Sequence, residues 1–289
     1  MNYQPNPHLQ HRAIIQITWK PETPIHVGAG QDGIRKRIVM VTVNGRKQPV
    51  IPSETVKGCL RHLATRIAKS MKYSNPVVQT AVKTHQKDLH KVEQASTIHK
   101  QAKEWLKQVY TCRQIEELTP ADQVNLYLSY HCPVCRLFGG RGIASKLLIH
   151  DTIPTGEWTL KTYTSTAISR KTRTADHRKL YTIEYIPPGR VEYQTKIIAD
   201  NVLPGQPDAK LLANILNYLI EKGLQVGGLK TRGYGHLKVV HEKSNVRTLK
   251  INPNPQSLEE QVQNIKALLQ KPENILETTI QNYIETLLK

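Results

Sequence analysis

Aromatic rings are few and unevenly spread in this chain, with one Phe and three Trp against twelve Tyr in 289 residues. That is too little for the aromatic sheet face on which RNA-recognition domains stack bases, so any contact with nucleic acid is expected to run through the sugar-phosphate backbone. Cysteine is sparse as well. Four thiols in a chain of this length do not make a disulfide scaffold. No apolar run approaches the roughly 20 residues that span a bilayer, and the polar opening MNYQPNPHLQHR has no signal-peptide core. The expectation is a soluble, cytoplasmic protein with no membrane partner. Acidic side chains are the last shortage. Against 41 Lys and Arg stand 23 Asp and Glu, a formal charge of +18. A compact body with that surplus repels itself unless a polyanion lies against it, and nucleic acid is the leading candidate.

What is present reads as interleaved strands and helices, an α+β or mixed α/β pattern in one domain. Arg12 to Lys20 alternates apolar and polar residues as a half-buried strand does, and Pro21 to Pro24 ends it. Arg37 to Val43 and Gln48 to Ile51 flank Asn44-Gly45, a hairpin signal because both residues tolerate positive φ. Ser53 is placed as the N-cap of a helix on which Val56, Leu60, Leu63 and Ile67 recur at helical spacing. Asp208 to Lys222 is a second amphipathic helix, built on Leu211, Leu212, Ile215, Leu216 and Leu219 and stopped by Gly223. Residues 70–130 read as a helical insertion. Residues 164–190 are too long for an ordinary hairpin loop and read as a protruding arm. Ser257 to Leu269 and Glu273 to Leu288 are expected to be closing helices.

Four segments carry candidate chemistry. GLQVGGLKTRGYGH, from Gly223 to His236, gathers glycines, among them Gly227, Gly228 and Gly233, around Lys230 and Arg232. Glycines allow close backbone approach to phosphates and the cations supply charge; a solvated turn is the plain alternative. The arm carries Arg170, Lys171, Arg173 and Arg178, which suit a clamp on a nucleic acid strand. Cys132-Pro-Val-Cys135 has the spacing of a metal site, with Cys112 and one of His85, His90, His99 or His131 as further ligands; His131 is the one assigned, and structural zinc is the expected ion. His26 and Asp32 flank a Gly-Ala-Gly turn and are the candidates for acid–base or metal-assisted catalysis.

Taken in order, PIHVGAG, IPSETVKGCLRHLA, CPVCRLFG, AISRKTRTA with EYIPPG, and GGLKTRGYG resemble the successive signatures of the RAMP superfamily. They are most similar to Csm/Cmr-type backbone subunits of type III CRISPR effector complexes, over about residues 12 to 240. The resemblance implies a modified ferredoxin-like, RRM-like core with a helical insertion and a thumb arm, stacked head to tail with like subunits along guide RNA. It implies that Lys57 and Arg61 contact guide phosphates, that the glycine-rich loop supports the same groove, and that the arm acts as the thumb between guide and target RNA. Active members cut the paired target with magnesium through an aspartate in the loop before the first helix. Here Gly33-Ile34 is followed by Arg35, and Asp32 is the nearest acid. Two rivals remain: a guide-processing endoribonuclease of the same superfamily using His26, and a general single-stranded RNA binder.

Overall fold

The computed structural model describes residues 9–43, 45–86, 89–90, 95–109, 117–168, 170–171, 173–252, 256–268 and 275–289. The chain opens with β1 (His11–Pro21), followed by β2 (Gly28–Asp32) and β3 (Arg35–Ile38) and by the hairpin β4 (Met40–Val43) and β5 (Arg46–Pro49). Asn44, expected to turn that hairpin, lies outside the described residues. Helix α1 (Ser53–Ser70) comes next, then α2 (Pro76–Thr84), the two-residue strands β6 (His85–Gln86) and β7 (Leu89–His90), and helices α3 (Ala95–Val109), α4 (Pro120–His131) and α5 (Pro133–Phe138). Strands β8 (Leu147–Ile149) and β9 (Ile153–Thr155) precede the long pair β10 (Lys161–Ile168) and β11 (Ala175–Tyr185). The chain then runs through β12 (Glu192–Asp200), α6 (Pro207–Lys222), β13 (Leu224–Gln225), a 3₁₀ turn at Lys230–Arg232, β14 (His236–Val239) and β15 (Asn245–Lys250). It closes with α7 (Leu258–Leu268), β16 (Leu276–Thr278) and α8 (Ile280–Leu288).

Strand β1 is the axis of the fold. It pairs antiparallel with β12 along eight residues, from Arg12↔Asp200 to Trp19↔Tyr193. On its other edge it is shared between β15 near its start and β14 near its end, so the antiparallel sheet curls. Both faces of β1 are covered. Ala13, Ile15, Ile17 and Trp19 enter the main core, while Ile14 meets Leu249 in a smaller cluster behind the sheet. The Trp19 indole N–H donates to Thr195 Oγ1 at 2.8 Å, so the largest buried ring on this strand leaves no unpaired donor. Helices α1, α5, α6 and α8 form one packed layer with the core face of the sheet. The result is an α+β fold consistent with a ferredoxin-like core. No helix among the described residues is long and apolar enough to cross a membrane.

Two local expectations change. Ser53 does not cap α1: Pro52 occupies the cap position with no side-chain bond, and the backbone N–H of Ser53 donates to Asp151 at 2.7 Å instead. A carboxylate brought in from the loop before β9 satisfies the orphan donor, which sequence spacing does not reveal. The second closing helix is also shorter than expected. Leu276–Thr278 pairs with β15, and Thr279 caps α8 by accepting from Asn282 N at 3.2 Å. The sheet edge offers this stretch ladder bonds that a longer helix would forgo.

Candidate nucleic-acid interface and metal centre

The glycine-rich loop is tied tightly to the segment after β1. Gly228 N donates to the His26 carbonyl at 2.8 Å, Gly235 N to the Pro24 carbonyl at 2.8 Å, and Val226 N to the Gly235 carbonyl at 2.9 Å. Gly227, at φ 74°, would place a Cβ 2.3 Å from the His26 oxygen, and Gly235, at φ 87°, would place one 1.9 Å from the Val226 oxygen. These two glycines are required by the loop's own closure. Gly233, at φ 81°, has open space where a side chain would stand. The loop is therefore a pinned platform that presents the turn Lys230–Arg232 outward.

That turn sits between two other cationic elements. Lys230 Nζ reaches Cys59 Sγ on α1 at 3.4 Å. Lys57 and Arg61 stand two residues to either side of Cys59, one helical turn from each other and on a different face of α1 from Cys59; Arg61 donates to the Gly139 carbonyl at 3.1 Å, while its buried Nε has no partner. Partial burial, and then the charge of Arg61, hold the Lys57 ammonium below its ordinary pKa. On the other side Arg232 donates to the Tyr181 hydroxyl on β11 at 2.6 Å, and Lys36 of β3 lies 5.3 Å from the same ring. Hydrogen bonds from Ser165 and Arg232 lower the Tyr181 phenol. The parallel pairing of β11 with β3, Thr182↔Arg35 and Ile183↔Lys36, brings these groups together. Lys230, Arg232 and Lys36 are thus tied to α1 through Cys59 and to the root of the β10–β11 hairpin through Tyr181, while Lys57 and Arg61 form a separate cationic pair on α1.

The hairpin itself is antiparallel from Lys161↔Tyr185 to Thr166↔Leu180, with a register shift before Ile168↔Ala175. Arg170, Lys171 and Arg173 are exposed at its tip, on the order of 20 Å from Tyr181 at about 3.3 Å per strand residue. Arg178 lies on β11, and its side chain falls outside the described set.

The catalytic candidates are engaged apart from one another. His26 is buried, and its Nδ1 donates to the Glu184 carbonyl at 2.7 Å. Asp32 is exposed at the end of β2 and forms an ion pair with Arg37.

A second cluster is fully buried. His85, His90, Cys132 and Cys135 bring their ligand atoms within 4.8 Å of one another, so these four residues could hold a metal ion. Cys132 stands at the junction of α4 and α5 and Cys135 in the first turn of α5, while His85 and His90 face each other across the β6–β7 hairpin. Cys135 Sγ lies 3.3 Å from His85 Nδ1 and 3.5 Å from His90 Nε2, and Cys132 Sγ 3.6 Å from His85 Nδ1. Burial, with Cys135 beside it, pushes the Cys132 thiol up; the bond from Cys132, and then those from His85 and His90, pull Cys135 down, so a thiolate is favoured there. Thr84 Oγ1 contacts His90 Nδ1 at 3.0 Å and fixes that ring. His131 is not among the four. Its Nδ1 donates to the Tyr127 carbonyl at 2.8 Å and its ring packs 5.3 Å from Trp105. His99 meets Gln123, and Cys112 lies outside the described residues.

No curated protein matches the chain. Among solved structures it is similar to a chain described as "Type IV-B CRISPR Complex", at 16% identity and a TM-score of 0.46, with 80% of this chain and 89% of that chain covered. The family model described as RAMPs, the RAMP superfamily, matches residues 19–238. That span runs from the end of β1 to β14 and takes in α1, the buried Cys-x-x-Cys, the hairpin and the glycine-rich loop, and with it the chain belongs to the RAMP superfamily.

Proposed function

We propose that this protein is a guide-RNA-binding subunit of a CRISPR effector complex, of type III on the motifs given above, working beside like subunits and other effector proteins. The observation that carries the reading is the tie of Lys230 to Cys59 of α1 and of Arg232 and Lys36 to Tyr181, which concentrates positive charge where helix, loop and hairpin root meet, with Lys57 and Arg61 paired on the same helix. Together with a formal charge of +18, it suits the phosphates of one RNA strand. The hairpin, with Arg170, Lys171 and Arg173 at its tip, suits a thumb against target RNA paired to that guide. The test is electron microscopy of the tagged protein isolated from its own cells, with the co-purifying RNA sequenced. Head-to-tail assemblies containing repeat-derived guides are expected; isolated particles with random RNA would favour a general single-strand binder.

Zinc is the ion proposed for the buried cluster. A tetrahedral ion held at about 2.3 Å by sulfur and about 2.1 Å by nitrogen sets its S···N edges at about 3.6 Å, close to the 3.6 Å of Cys132 from His85 and the 3.3 and 3.5 Å of Cys135 from His85 and His90. Two sulfurs and two nitrogens are a zinc-type donor set. The ion's task there is structural.

Magnesium-dependent cutting of the target at Asp32 is a separable proposal, since Asp32 stands on β2, the strand paired to the one that carries Lys36. Cutting would require its pair with Arg37 to open. Asp32→Ala is expected to abolish cutting of guide-paired RNA and leave binding intact; binding without cutting by the native protein would assign it a scaffold role.

A further inference from the structure

The cationic corner accounts for phosphates and leaves three tyrosines beside it without a task. Tyr163 of β10 stands opposite Ile183 of β11, two residues before Tyr185, so Tyr163 and Tyr185 share one face of the hairpin. Tyr234 arrives from the glycine-rich loop and meets Tyr185 edge to face, with ring centroids 6.1 Å apart. Partial burial, and then the phenols of Tyr185 and Tyr163, push the Tyr234 phenol up. Packing alone does not call for this. Ile186, just after β11, already fills the core, while Tyr163 remains 55% exposed. Tyr181, on the same face, is held by Arg232 and lies beside Lys36. Arg232 gives one N–H to that phenol, which fixes its plane and leaves further donors.

We propose that Tyr163, Tyr185 and Tyr234 form a stacking platform for an unpaired nucleobase of the bound strand, with Arg232 and Lys36 holding that nucleotide's phosphate. The inference rests on the RNA-binding reading and adds a base contact to it. Every base has a π-face, so the platform tolerates sequence; a duplex keeps its bases stacked on each other, so the platform selects single strands. Its composition also explains how a chain with one Phe engages bases, through rings drawn from separate elements.

The test uses the full chain and a single-stranded RNA oligonucleotide carrying 2-aminopurine, whose fluorescence is quenched on stacking. Tyr163→Leu with Tyr234→Leu is expected to weaken binding about tenfold and relieve quenching, with the salt dependence unchanged because no charge is lost. Tyr163→Phe with Tyr234→Phe keeps the rings and is expected to bind as the native protein does; the exposed single variant Tyr163→Leu, expected to relieve part of the quenching, covers the case in which the double variant fails to fold. Native affinity and undiminished quenching in the leucine variants would overturn the platform while leaving RNA binding standing. A native protein that binds no RNA at low salt would overturn both.

Discussion

Single residues in this protein are fixed by close approach more than by propensity. Gly235→Ala would set a Cβ against the Val226 carbonyl in a backbone conformation that already costs an L-residue about 1–2 kcal/mol, so a loss above about 2 kcal/mol is expected in urea unfolding. Asp208 is fully buried between Lys146 Nζ at 2.7 Å and Arg136 at 3.2 Å, and burial lowers the Lys146 pKa although Asp208 opposes the shift. Asp208→Ala would leave two cations facing each other in the interior, and a loss of about 3–5 kcal/mol is expected by the same measurement. Neither dependence is legible in sequence. The partners of Gly235 and Asp208 are set by how loops close, whereas the leucines of α6 announced themselves because burial repeats along one helix at fixed spacing.

Among elements, the segment between α1 and β8 is the one the proposed metal ion would stabilise. The β6–β7 hairpin that supplies His85 and His90 has two residues per strand, too short to hold itself together in water. With one zinc per chain expected in elemental analysis, chelation should speed amide exchange in the β6–β7 hairpin and at the α4–α5 junction while leaving β1 and β12 protected. Equal protection in metal-free protein would remove the structural role. The Cys-x-x-Cys pair was legible because its spacing is local. The histidine partners were missed, with His131 assigned in their place, because they lie 42 and more positions away and only the antiparallel pairing His85↔His90 aims both rings at the thiols. The tyrosine platform was hidden for the same reason: it needs the hairpin register and the docking of the loop on it.

At the scale of the whole molecule, the α+β character and the surplus charge were readable, since periodicity and composition report them directly. What could not be read was convergence: Lys36, on a four-residue strand, joins the cationic corner only through the parallel pairing of β3 with β11. The central claim is that this corner holds an RNA backbone, and the salt dependence of single-stranded RNA binding tests it most directly. Log affinity should fall linearly with log salt between roughly 50 and 200 mM, and Lys57→Ala with Lys230→Ala should flatten the slope by about 0.7 per residue. A salt-independent affinity, or a slope untouched by those two substitutions, would contradict the account.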